Sequence, residues 1–112
     1  AEMLASEFGF LQGASYEPAL LLNKGKIPKE DASKHLQAVE TLLTQVADEG
    51  FTALLVKDTV WPYADQEGRG AVLWPLRVAL SGQEKSPDPF TIAGLIGKQE
   101  TLSRIAQALK NL

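Results

Sequence analysis

The chain has no cysteine, one histidine, one methionine and no long apolar run, and each shortage removes a class of chemistry. Without cysteine there can be no disulfide, no thiolate nucleophile and no sulfur-ligated zinc site. His35 has no second histidine at ligand spacing, so no metal site is expected, and the residue reads as a surface or half-buried member of a helix. No apolar run approaches the roughly 20 residues that cross a bilayer, and the segment after Ala1 has neither the basic head nor the apolar stretch of a signal peptide. A cytoplasmic protein with no membrane partner is the expectation. The chain also opens without methionine inside a helix-like pattern, and so reads as a piece of something longer.

Catalytic arrangements are missing as well. No histidine stands at useful spacing from a serine and a carboxylate, no histidine pair lies on one helix face, and no glycine loop could cradle a phosphate. Gly68-Arg69-Gly70 is too short for that. No catalytic, cofactor-binding or metal-binding residue is therefore assigned.

What is present is one domain's worth of helical pattern. At 112 residues the chain can bury a core of its own, and residues 1–112 are expected to form a single unit. The net charge of −3 is unevenly spread. Residues 1–65 hold five lysines against ten acids; residues 66–112 hold six cations, including all three arginines, against four acids. That asymmetry suits a molecule that meets an anion at one end, and equally a chance imbalance in a short chain.

From Pro28 to Glu49 the apolar residues Ala32, Leu36, Val39, Leu42, Leu43, Val46 and Ala47 follow helical spacing, with Glu30 and Asp31 at the start and Gly50 at the end. A shorter helix is expected from Tyr16 to Leu22, ended by Asn23 and Gly25, and another over the first ten residues. Thr52 is a good N-cap for the next segment, with a break or kink expected at Val60 to Pro62 and Trp61 and Tyr63 packing across it. Gly68 and Gly70 then mark a turn around Arg69. Residues 71–80 fit either a buried strand or a helix with Pro75 near its first turn. Asp88-Pro89 is an N-cap and first-turn pair for a helix that Gly97 ends, and Leu102, Ile105, Ala108, Leu109 and Leu112 stripe a last helix.

The informative stretch is Trp74-Pro75-Leu76-Arg77-Val78-Ala79-Leu80-Ser81-Gly82, followed by Ser86-Pro87-Asp88-Pro89-Phe90. A guanidinium among so many apolar neighbours is either tied to a carboxylate or carbonyl, or held out toward a ligand. Together with Leu95-Ile96-Gly97-Lys98-Gln99-Glu100-Thr101-Leu102-Ser103-Arg104-Ile105, this stretch resembles the C-terminal anticodon-binding domain of bacterial glutamyl-tRNA synthetase, most strongly over residues 71–112.

The resemblance implies an all-α, compact helical bundle that recognises a tRNA anticodon as part of a glutamate-tRNA ligase. The signatures of the catalytic part, His-Ile-Gly-His and a lysine-serine loop for ATP, do not occur here, so this chain alone is not expected to be catalytic or to bind a cofactor. The partners implied are the anticodon loop of a glutamate-specific tRNA and the rest of the synthetase chain, not DNA. Carried over position by position, the family's base contacts fall on Arg77, Ser86, Pro87, Pro89 and Phe90. Pro89 is a departure, since many members carry leucine before the phenylalanine, which alters the apolar contact to the base. Arg69, Lys85, Lys98 and Arg104 are candidate phosphate contacts, though solvated or helix-bridging charges would read the same way. Trp61 and Trp74 are expected in core or rim packing, with stacking on nucleic acid the lesser alternative. The rival reading is a helical protein-protein interaction module without RNA binding; an independent enzyme is the remote third.

Overall fold

The computed structural model describes residues 18–23, 25–82 and 87–112. The helix expected over the first ten residues, and the start of the next at Tyr16 and Glu17, lie outside the described residues, as do Lys85 and Ser86. Among the described residues five helices follow one another: α1 (Pro18–Leu21), α2 (Lys29–Thr44), α3 (Ala53–Glu67), α4 (Arg69–Ser81) and α5 (Pro89–Asn111), with a 3-10 turn at Asp48–Gly50. No strand occurs among the described residues, so the segment 71–80 is helical. The fold is an all-helical bundle in which α5 packs on α2, α3 and α4.

Local chemistry starts most of these helices where the sequence suggests. Asn23 and Gly25 turn the chain after α1 with φ of 50° and 89°. Thr52 Oγ1 accepts the Leu55 amide at 3.2 Å and caps α3. Asp88 caps α5 with both oxygens, taking the Thr91 amide at 2.9 Å and the Thr91 hydroxyl at 2.8 Å, while Pro89 opens the first turn. Inside α5, Gly97 has φ 87° and ψ 169°, a region essentially closed to residues with a Cβ, and there the helix changes direction.

Four expectations are corrected. First, α2 stops at Thr44 rather than near Glu49. Lys98 of α5 donates to the Thr44 carbonyl at 2.9 Å, satisfying one of the orphan acceptors of a helix end, and Val46 turns inward just beyond. Second, α3 runs through Pro62 without a break. Val56, Val60 and Ala64 form one buried stripe on either side of it, whereas Pro62 is exposed, so water can take the carbonyl its ring leaves unpaired. Third, Gly68 alone (φ 112°) turns the chain between α3 and α4; Arg69 and Gly70 are already helical. Fourth, Pro75 is buried two turns into α4, not near its start.

The core is made by stripes from every long helix: Leu36, Val39 and Leu43; Val56 and Val60; Val72, Leu76 and Leu80; Ile92 and Ile105. Each is removed from water almost completely, and burial of this kind contributes about 1.5–3 kcal/mol per large side chain. Trp74 closes one side by donating its indole N–H to the Leu20 carbonyl at 2.8 Å, which pins α1 to α4. His35, expected at the surface or half-buried, is buried beside Tyr63: the ring nitrogen Nδ1 and the phenol oxygen are 2.8 Å apart, and the rings meet edge to face.

The bundle has one further close approach. A Cβ on Gly94 would sit 2.7 Å from the Ala53 backbone nitrogen, so glycine is what lets α5 lie against the start of α3. That contact brings the beginning of α5 beside α3 and α4 and sets up the cavity described next.

Candidate nucleic-acid interface

Where α3, α4 and the start of α5 meet, they border an open cavity of about 470 Å³ whose walls include Leu54, Lys57, Trp61, Leu73, Arg77 and Phe90. The volume falls in the ~300–1,000 Å³ range of small-molecule sites. The walls are built by register. Lys57 and Trp61 are one turn apart on α3, Leu73 and Arg77 one turn apart on α4, and the capped start of α5 presents Pro89 and Phe90.

Three of the residues expected to contact a base, Arg77, Pro89 and Phe90, therefore line one space. Phe90 is buried and stands edge-on to Trp61 with ring centroids 6.2 Å apart, so it forms wall rather than a projecting ring. Pro87 is exposed at the loop's end, and Ser86 and Lys85 lie outside the described residues.

The three arginines have different fates. Arg104 is 7 % exposed; its Nε donates to Glu100 at 2.8 Å and its Nη1 to the Leu80 carbonyl at 2.6 Å, joining α5 to the end of α4. That inward placement removes it from the candidate phosphate contacts. Arg69 makes a forked contact with Asp65, from Nε at 3.1 Å and Nη2 at 2.8 Å, and lies 4.8 Å from the centre of the Trp61 ring. Arg77 is half-buried, lines the cavity, and among the described residues has no hydrogen-bond or ion-pair partner for its guanidinium. Of the two roles open to it from sequence, bridging or facing a ligand, no bridge is made among the described residues. Lys98 donates to the Thr44 carbonyl with one of its three ammonium donors.

Two charged groups shape the local field. Burial alone would raise the Asp88 carboxyl, but the hydrogen bonds from Thr91 outweigh it and hold the group below its ordinary value, so Asp88 stays ionised at the cavity wall. Lys57 stands 5.5 Å from the centre of the Trp61 ring and also lines the cavity. Lys57 was not singled out from sequence as part of a site, and for Trp61 stacking on nucleic acid was only the lesser reading beside core or rim packing. The available signal was their four-residue spacing, which puts a cation and an aromatic on one helix face.

Among the described residues no helix is long and apolar enough to cross a membrane.

A family model described as an anticodon binding domain matches residues 2–109, well beyond the 71–112 stretch that carries the recognisable motifs. The chain belongs to that family. Similar proteins include glutamate-tRNA ligases. The glutamate-tRNA ligase of Christiangramia forsetii is 34% identical over 107 residues, covering 94% of this chain and 20% of the relative. That of Flavobacterium psychrophilum is 30% identical over 109 residues, covering 96% and 21%. A crystal structure of a glutamate tRNA ligase from Elizabethkingia meningosepticum, in complex with its amino acid, superposes with a TM-score of 0.80 at 26% identity, covering 96% of this chain and 21% of that one. The chain thus spans about a fifth of the length of the curated relatives it matches. It is an anticodon-binding domain of the glutamate-tRNA ligase type, and the interaction-module reading is not favoured.

Proposed function

We propose that the chain reads the anticodon loop of a glutamate tRNA as the C-terminal domain of a cytoplasmic glutamate-tRNA ligase, whose catalytic part uses ATP to join glutamate to that tRNA. The observation that carries this reading is Arg77: a guanidinium with no partner among the described residues, set in a cavity walled by Leu73, Trp61 and Phe90. Anticodon loops offer unstacked bases with free pairing edges, and a guanidinium supplies both a planar face and a fork of donors for them. Apolar walls strengthen such hydrogen bonds by excluding water.

In this proposal Arg77, Ser86, Pro87, Pro89 and Phe90 form the base-contacting set, and Arg69 and Lys85 meet the phosphate backbone. Arg69 is suited because its charge is exposed at the start of α4, with Asp65 holding its direction. Lys98, with donors left beyond its bond to Thr44, is a further candidate for the phosphate backbone, and Arg104 is structural. The chain contributes recognition, with no catalytic residue and no cofactor of its own.

The test is binding of the chain to a hairpin carrying the glutamate-tRNA anticodon loop and to the same hairpin with scrambled loop bases, at two salt concentrations. Tighter binding of the native loop, with affinity falling steeply as salt rises, is expected. Equal affinity for both loops would contradict it.

A further inference from the structure

α4 ends in a turn that its own backbone cannot close. The last four carbonyls of a helix have no partner within it, and here Gly82, with φ 70°, stops the helix and returns its amide to Val78 alone, at 2.7 Å. Leu80 is buried, so solvent cannot serve its carbonyl, and Arg104 Nη1 donates to it at 2.6 Å. The guanidinium is aimed by Glu100, which accepts from Nε at 2.8 Å while its own side chain stays 50 % exposed. A cation at this end of a helix also complements the dipole. Arg77 stands immediately before the same turn, and its carbonyl takes the Ser81 hydroxyl at 2.7 Å. With no hydrogen-bond or ion-pair partner among the described residues, the Arg77 guanidinium takes its direction from the backbone that carries it. Pro89 and Phe90 stand on the helix that also carries Arg104, before its bend at Gly97. One buried bond thus joins the two helices that hold these three base-contact candidates.

We propose that Arg104 is a positioning residue for anticodon reading: its bond to Leu80 fixes the C-terminal turn of α4 and with it the direction of Arg77, while Arg104 itself stays clear of the RNA. This rests on the anticodon-reading proposal above and goes beyond it in giving a buried residue a part in base preference. A lysine at this position would keep the charge but lacks the planar fork that serves Glu100 and Leu80 at once.

The test is the ratio of affinities for native and scrambled anticodon hairpins in wild type, Arg104→Lys, Arg77→Ala and the double variant, with unfolding curves confirming the fold of each. Arg104→Lys should lower the ratio about tenfold, as a misaligned contact does, and leave the salt dependence of affinity unchanged, because no phosphate contact is lost. In the Arg77→Ala background the same change should cost no further affinity for the native loop, since Arg104 acts through Arg77. The Gly82 amide, measured against that of Val60, should exchange its hydrogen faster in Arg104→Lys than in wild type. Val39→Ala, a core change on α2 away from the cavity, should lower stability and keep the ratio, which separates positioning from general destabilisation. Glu100→Ala removes only the half-exposed partner that aims the guanidinium, and should fold and lower the ratio by a smaller factor. A wild-type ratio in folded Arg104→Lys, or in Glu100→Ala if the lysine variant does not fold, overturns this inference and leaves anticodon reading standing. A reduced salt dependence would make Arg104 a phosphate contact and overturn it too. A folded wild type that binds both hairpins equally overturns both proposals.

Discussion

Arg104 donates from α5 to the carbonyl of Leu80 at the end of α4, 2.6 Å away, and this contact is the helix bridge that sequence alone could equally have assigned to Arg77. The exchange of roles is physical. Arg104 lies on the same buried stripe as Thr101, Ile105 and Ala108 and has Glu100 one turn before it, so its charge is neutralised where it is buried. Arg77 has Leu73 one turn before it and no acid at that spacing, and its guanidinium faces the cavity.

Arg104→Met should therefore destabilise the chain by about 1–3 kcal/mol, because a buried carbonyl loses a charged donor. Arg77→Ala should stay within about 0.5 kcal/mol of wild type, as expected for a side chain whose guanidinium has no partner among the described residues. Urea unfolding of the two variants checks the contrast. Equal losses would mean that both arginines bridge.

Gly94→Ala should cost about 1–3 kcal/mol, since the added methyl meets backbone at Ala53 and α5 must move away from α3. The same displacement opens the cavity wall, so hairpin affinity should fall as well. Thermal unfolding and hairpin titration of this variant check both effects together.

Asp88→Ala removes the cap of α5 and should cost about 1 kcal/mol. The folded-state carboxyl lies below its ordinary value, so the stabilisation is complete above the unfolded value of about 3.8 and is lost as pH falls through the lower folded one. Unfolding measured from pH 6 downward should show a steeper acid loss in wild type than in Asp88→Ala.

His35 titrates at higher pH. Burial, with Lys34 adding, lowers its imidazole below the ordinary 6.5, so the unfolded chain binds the proton first and stability falls as pH drops below about 6.5. Replacing His35 with glutamine, which keeps a polar atom for Tyr63, should flatten stability between pH 7 and pH 5. A wild-type profile as flat as the variant's would refute the burial argument.

Much of the bundle was legible because its signals are local. The caps at Thr52 and Asp88, the turn at Asn23 and Gly25, the break at Gly97 and the stripe of α2 each depend on residues a few positions apart. What was not legible depends on distant partners. The end of α2 is set by Lys98, 54 residues on, and the helix survives Pro62 because its buried stripe is held by the rest of the core. The site divided in the same way. Arg77, Pro89 and Phe90 could be named from the motif, but Trp61 and Lys57 join them only because Gly94 lets α5 lie against α3.

The most direct measurement is the ratio of affinities for the native and scrambled anticodon hairpins, in wild type, Arg77→Ala and Arg77→Lys, with unfolding curves confirming that all three are folded. Wild type should prefer the native loop. Arg77→Ala should lose that preference, and Arg77→Lys should retain the salt dependence while losing most of the preference, because an ammonium keeps the charge without the planar fork. A folded Arg77→Ala that still distinguishes the two loops as wild type does would contradict the account.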